Sequence, residues 1–310
     1  MKNVRSLLFV VYWCVAQNTL AQKNDSSELL ITGSRFAYPL IEKWIEAYKS
    51  INPALNIRIV SKSDTADLIF KGHEIPKEEL TPEWIYVNLA RYVIVPIAHV
   101  KSDFALHYGE KGLDKQEVQK LFFEDEFKTK DNEKSEKINY TFYARQQKSC
   151  IPSTFAGYYG YVPSDFKGKG ISGADQHLVV AVQNDQTAVS YAPLNYAFDL
   201  NKRSPVEKIS ILPLDLNNNR RLESDEKIFE NLDTALDFLE AEKTENLPGA
   251  YLHVGFPEKV KNPNLVSFLI WILNEGQQYN HNAGFLKLEE VVVTKEQKKL
   301  DNLLKELNKP

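Results

Sequence analysis

The apolar positions change their spacing repeatedly along the chain. Leu29–Thr32 is a short apolar run that closes on Gly33-Ser34. Ala37, Leu40, Ile41, Trp44, Ile45 and Tyr48 then recur at helical spacing until Pro53 stops the element. Asn56–Val60 alternates as a second strand and Ala66–Phe70 forms a third. A β-turn-α-β opening of this kind predicts an α/β sheet. Trp84–Val100 is a long β-branched and aromatic stretch, read as one or two strands with Pro96 at an edge or crossover. Further along, helices are predicted at Leu113–Phe123, Phe155–Tyr161, Ile228–Glu240, Asn264–Tyr279 and Lys295–Leu307. Strands are predicted at Ile138–Ala144, Thr187–Ala192, Ile209–Leu214 and Ala250–Gly255. Glu124–Lys137 reads as a polar loop, and His177–Gln183 as helical or extended. There is no internal repeat and no linker rich in Gly, Ser or Pro. Trp44, Trp84, Phe268 and Trp271 are assigned to the core.

The first 21 residues break this pattern. Lys2 and Arg5 precede an apolar run of ten residues, Leu7–Ala16, and Thr19-Leu20-Ala21 offers small residues at the −3 and −1 positions. This is the form of a cleaved secretory signal, and ten apolar residues are half of what a membrane span requires. Tyr12 and Trp13 ahead of Cys14 do not suit a lipid-attachment site. The mature chain is therefore expected to be exported and periplasmic, with Cys150 as its single cysteine.

Composition narrows the function classes. Of 310 residues, 26% are charged and 43% hydrophobic, an ordinary globular balance. A net charge of −4 lacks the basic excess of a nucleic-acid binder. Two cysteines exclude a disulfide framework. His73, His99, His107, His177, His253 and His281 contain no HExxH or HxxxH pair, which excludes a helical zinc-protease motif.

Two constellations carry candidate chemistry. Gly33-Ser34-Arg35-Phe36 lies between a strand and a helix, where unpaired N–H groups and the macrodipole suit an anion. Arg145-Gln-Gln-Lys-Ser149 follows a strand and precedes a helix start containing Pro152, placing a guanidinium, a hydroxyl and further N–H groups at one turn. Ser149 has no visible base and Cys150 has no histidine adjacent in sequence, so neither is read as a nucleophile and the chain is not read as an enzyme. The second constellation is Asp215-Leu-Asn217-Asn-Asn219-Arg-Arg221-Leu-Glu223-Ser-Asp-Glu226, which fits a twelve-residue EF-hand loop with oxygen side chains at positions 1, 3, 5, 9 and 12. Arg221 would offer only its carbonyl, and Arg220 stands where such loops carry glycine. A structural calcium is expected there, outside the anion site. The alternative is an Asn-rich turn capping the next helix.

The run Leu30-Ile-Thr-Gly-Ser-Arg-Phe-Ala-Tyr-Pro-Leu-Ile-Glu-Lys-Trp44 resembles the opening of the phosphate-transporter substrate-binding proteins, the periplasmic component of an ABC importer. Arg145 and Ser149 stand at the spacing of that family's Arg-x-x-x-Ser-Gly-Thr box. Ala188–Ala197, Phe268–Gln277 and Ala283-Gly-Phe resemble later family segments, so the resemblance covers most of residues 29–288. It implies a two-lobed α/β type II periplasmic binding fold, with a hinge and a central ligand cleft. The lobes would be residues 22–92 with 248–310, and residues 93–247. It also implies a monomer that binds phosphate or a related small oxyanion through Gly33, Ser34, Arg35, Phe36, Ser61, Ser63, Arg145, Ser149, Cys150 and Ile151, and an ABC permease as partner. A binding-protein fold without a transport role, acting as an envelope sensor or interaction protein, is the alternative. Three departures bear on the ligand. Ser-Gly-Thr is replaced by Ser149-Cys150-Ile151, and the Gly- and Ser-rich turn shrinks to Ser61-Lys-Ser-Asp-Thr65. Lys71-Gly72-His73 stands where the family carries an aspartate. That last change predicts poor discrimination between phosphate and sulfate.

Overall fold

A computed structural model describes residues 28–75, 77, 80–124, 138–217, 219, 221–241, 247–259 and 262–307. The expected secretory signal and most of the Glu124–Lys137 loop lie outside the described residues. The chain runs β1 (Glu28–Gly33), α1 (Tyr38–Ile51), β2 (Asn56–Ile59), β3 (Leu68–Lys71), β4 (Trp84–His99), α2 (Asp103–Lys111) and α3 (Lys115–Phe122). It continues with β5 (Thr141–Ala144), α4 (Cys150–Tyr158), β6 (Lys169–Gly170), α5 (Gln176–Asn184), β7 (Ala188–Pro193) and α6 (Leu194–Ala197). A small hairpin of β8 (Phe198–Asp199) and β9 (Ser204–Pro205) follows. The last elements are β10 (Ile209–Ile211), α7 (Leu232–Ala241), β11 (Gly249–Pro257), α8 (Pro263–Asn274) and α9 (Glu290–Leu307).

Nine strands form one sheet in the order β2-β1-β3-β11-β4-β7-β5-β6, with β10 also on β4. β1 pairs in parallel with β2 and β3, and β11 lies antiparallel between β3 and β4. The expected one or two strands at Trp84–Val100 are a single sixteen-residue strand that changes neighbours along its length. Trp84–Val93 pairs with β11, Ile94–Ala98 with β7, and Ile97–His99 with β10. Pro96 sits just past the change of partner, where its carbonyl accepts from the Leu212 N–H. One strand thus joins the two halves of the sheet.

Burial follows the periodicities. Leu40, Ile41, Trp44 and Tyr48 make the inner face of α1, and the Trp44 indole donates to the Gly276 carbonyl at 2.9 Å. Tyr48 packs against Phe268 and Trp271 of α8. β7 is buried at every position, as expected for a strand covered on both faces. Trp84 departs from expectation: at 36% exposed, it lines a shallow surface pocket with Tyr86 and Thr81 instead of joining the core. Helix α2 has no counterpart in the sequence reading. Ser102 starts it by accepting the Ala105 N–H, and Gly112, at φ +77°, ends it. Helix α7 begins at Leu232 rather than Ile228, because Asn231 Oδ1 accepts the N–H groups of Asp233 and Thr234.

Candidate functional site

Ligands of open α/β sheets gather beyond the carboxyl ends of the strands. Here the segments leaving β1, β3 and β5 meet around a cleft of about 530 Å³. Gly33 makes the approach possible. At φ +138°, a Cβ there would stand 2.0 Å from the Phe70 carbonyl oxygen. That close fit lets the Ser34 N–H donate to the same carbonyl at 2.9 Å and holds Ser34 at the start of the 3-10 turn leading into α1. Across the cleft, Ser149 is the N-cap of α4 and Cys150 its first residue.

The lining includes Gly33, Ser34, Arg35, Phe36, Arg145, Ser149 and Cys150, so the sequence-derived groups at residues 33–36 and 145–150 are brought together. It does not include Ser61, Ser63 or Ile151. Ser61 and Ser63 are exposed in the turn after β2, the outermost strand, with β1 between them and β3. Ile151 is fully buried in the core. Lys71 and His73, which the sequence tied to ligand selectivity, also line the cleft, as do Asp175, Lys148, Ser153 and Tyr196, which were not assigned to the site from the sequence.

The guanidinium of Arg145 donates from Nη1 to Asp175 Oδ1 at 2.5 Å, and both side chains are largely buried. Burial lifts the Asp175 carboxyl above the usual aspartate range, with Arg145 pulling it back down. The Arg145 N–H donates to the Tyr191 hydroxyl, which fixes the start of the turn. Two buried donors remain unmatched: Arg145 Nε and Ser149 Oγ have no hydrogen-bond partner.

Three further groups converge on sulfur. Cys150 Sγ lies 2.9 Å from Ser34 Oγ and 3.1 Å from His73 Nδ1, and accepts the Gly72 N–H at 3.4 Å. Burial pushes the thiol up from its ordinary value, while the Ser34 and Gly72 contacts and the Lys71 charge pull it down. Gly72 is itself held from behind, its carbonyl accepting from the Tyr92 hydroxyl and from Thr154 Oγ1. The Asn195 amide donates to the Phe36 carbonyl at 2.8 Å, a further contact across the cleft. The sequence reading found no histidine for Cys150. The tertiary fold supplies one from 77 residues away. Two signals pointed to it: His73 lies two residues past the end of a strand, and Lys71-Gly72-His73 stands where the resembled family carries an aspartate.

Solved structures similar to this one include a phosphate ABC transporter substrate-binding protein from Clostridium perfringens, described as putative and with bound phosphate. It is 17% identical, with TM-score 0.61 over 84% of this chain and 100% of that one. An ABC-type phosphate transport receptor from Vibrio cholerae is 10% identical, with TM-score 0.57 over 84% and 100%. A possible phosphate-binding protein from Planctomyces limnophilus is 13% identical, with TM-score 0.54 over 89% and 98%. The fold is that of a type II periplasmic binding protein. No protein-family model and no curated protein matches the sequence. Among the described residues, no helix is long and apolar enough to cross a membrane.

The 215–226 loop lies apart from the cleft, joined to the body by the Asp215 N–H donating to the Leu113 carbonyl. Glu226 is 2% exposed. Its Oε1 accepts the N–H groups of Leu216 and Asn217, and its Oε2 that of Glu223. Asp215 Oδ1 and Asn217 Oδ1 both accept the Asn219 N–H, and Asn219 Oδ1 accepts that of Arg221. Glu223 Oε2 accepts from the Asn217 amide. Among the described residues, no three His, Cys, Asp or Glu side chains gather as a metal site. Asn218 and Arg220 lie outside them.

Proposed function

We propose that the chain is an exported, periplasmic, monomeric solute-binding protein that captures phosphate or a related small oxyanion and presents it to an ABC permease. The observation that carries this reading is the pair of buried, unpartnered donors, Arg145 Nε and Ser149 Oγ, lining a cleft between the start of α4 and the turn into α1. An unsatisfied buried donor costs about 1–3 kcal/mol, and a tetrahedral oxyanion would satisfy both while lying near two helix starts. The phosphate named with the Clostridium perfringens neighbour supports the same ligand class.

Asp175 alters the expected selectivity. With Lys71 and His73 replacing an aspartate, discrimination was expected to be poor, yet the cleft holds a carboxylate from another part of the chain. A carboxylate has about four acceptor positions, and Arg145 Nη1 takes one. Asp175 can therefore accept the O–H of hydrogen phosphate and would repel sulfate, which has no proton to give. Isothermal titration of the mature protein should show phosphate binding more than tenfold tighter than sulfate. Absence of binding by phosphate, sulfate and related oxyanions would refute the reading. The alternative, an envelope sensor without a transport role, has one observation in its favour: Cys150 sulfur already sits among the donors. Permease and ATPase genes beside this one would decide for transport.

A further inference from the structure

We propose that Cys150 and His73 form a peroxide-reactive thiol–imidazole pair whose oxidation closes the anion cleft. The closing part rests on the oxyanion reading above. The pair is built from distant segments, since His73 follows β3 and Cys150 begins α4, and Sγ and Nδ1 are 3.1 Å apart. A thiol kept neutral by burial is a weak nucleophile until a base within hydrogen-bond reach takes its proton. Nδ1 is such a base. The Gly72 N–H donates to the sulfur, and the Ser34 hydroxyl 2.9 Å away would turn its proton from the Phe70 carbonyl to it as negative charge develops. Cys150 lines the cleft, and a hydroperoxide is small enough to enter a space of about 530 Å³.

The step balances with the peroxide as the only added reactant. The thiol proton passes to His73 Nδ1, and a sulfur electron pair attacks one peroxide oxygen. An S–O bond forms as the O–O bond breaks. The departing oxygen recovers the proton from His73 and leaves as water, or as an alcohol from an organic hydroperoxide. Sulfur is oxidised by two electrons to a sulfenic acid and the peroxide is reduced by two. The new oxygen would project from Cys150 into the cleft lined by Ser34, Arg145 and Ser149, and so take space that an oxyanion ligand would use. Ser149 Oγ, one residue away and without a partner, is a further donor for it. Cys150 is the only free cysteine among the described residues, and the one other cysteine of the sequence is Cys14. The mature chain therefore has no second thiol to form an internal disulfide. Reversal requires an external thiol, which forms a mixed disulfide with loss of water before a second thiol releases Cys150.

The test treats the mature protein with hydrogen peroxide, traps sulfenic acid with dimedone, locates the adduct by mass spectrometry and titrates phosphate before and after. The expected result is an adduct on Cys150, at least a tenfold loss of phosphate affinity, and recovery with dithiothreitol. His73→Gln and His73→Ala should each slow adduct formation at least tenfold, and both should flatten its dependence on pH between 5 and 8. Cys150→Ser, whatever its own affinity, should show no difference between treated and untreated protein. No adduct at Cys150, an adduct rate indifferent to both His73 variants, or an oxidised protein that binds phosphate as before would each overturn the inference. If untreated protein binds no oxyanion, the proposed function and the closing of the cleft fall together. Adduct formation and its dependence on His73 then still decide whether the thiol pair reacts.

Discussion

The cleft and the 215–226 loop are both built around polar groups and solve their hydrogen bonding in opposite ways. In the loop, the acceptor contacts are made within twelve residues, and Glu226 accepts three backbone N–H groups. In the cleft, the groups come from residues 33–36, 71–73, 145–150 and 175, and two buried donors are left unmatched. The loop carries the more recognisable motif and has the smaller need of a ligand. The cleft carries the weaker motif and the larger need. Recognisability and demand are separate properties: the first depends on local spacing, the second on which polar groups the fold buries without a partner.

The sharpest way to break the comparison is at Arg145. Arg145→Ala should weaken oxyanion binding by about 2–4 kcal/mol, since it removes a charge-assisted donor and leaves the anion facing Asp175. Adding Asp175→Asn should recover the stability lost by unpairing a buried carboxylate but should not restore full affinity. Titration calorimetry and thermal melting of both variants separate the two effects. Unchanged affinity in Arg145→Ala would show that the unmatched donors are not a binding site.

Removing the loop's central acceptor should matter almost as much, but to stability alone. Glu226→Ala removes three part-buried hydrogen bonds and should cost about 2–3 kcal/mol in chemical denaturation with no calcium present, while phosphate affinity stays within a factor of two. A negligible loss would mean that the loop does not depend on Glu226 to hold its shape.

Calcium at the loop is a smaller effect and a proposal of its own. A hard cation would draw the oxygens of Asp215, Asn217, Asn219, Glu223 and Glu226, with the Arg221 carbonyl, away from the N–H groups they now serve, so weak binding is expected. Extracellular modules of this kind bind at about 10⁻⁴–10⁻³ M. Calcium at a hundred times Kd would stabilise by about 2.7 kcal/mol, a rise of a few degrees in Tm for a chain of this length. Lower multiples give less. Glu226→Gln should abolish the rise, and equal shifts in both proteins would exclude the loop as the site.

The smallest expected effect concerns Asp175. Its carboxyl is lifted by burial, so it takes up a proton at higher pH than an ordinary aspartate. As pH falls through that raised range, the charge facing a sulfate ion is lost and sulfate binding should tighten. Asp175→Asn should already bind sulfate about tenfold tighter at neutral pH, roughly 1.4 kcal/mol by the usual conversion. The gap between variant and wild type should narrow as the solution is acidified. A constant gap would remove Asp175 from the ligand's surroundings.

The sequence by itself determined the α/β class, most of the elements, the anion-suited turn at Gly33-Ser34 and the Arg145–Ser149 turn. Each of these follows from local rules: the 3.6- and 2-residue periods, the steric freedom of Gly33, and the unpaired N–H groups at a helix start. Helix α2 was missed because it is nine residues long with three buried apolar positions between the caps at Ser102 and Gly112, too little to stand out from the strand before it. What only the tertiary structure decided is the company each turn keeps. Strand order put the end of β3 beside the cleft and left Ser61 and Ser63 on the outer side of β1. It also brought Asp175 to Arg145 and His73 to Cys150, over separations of 30 and 77 residues. No local spacing encodes such pairs, because the direction in which a loop leaves its strand is fixed only when both halves of the sheet pack along the single strand β4.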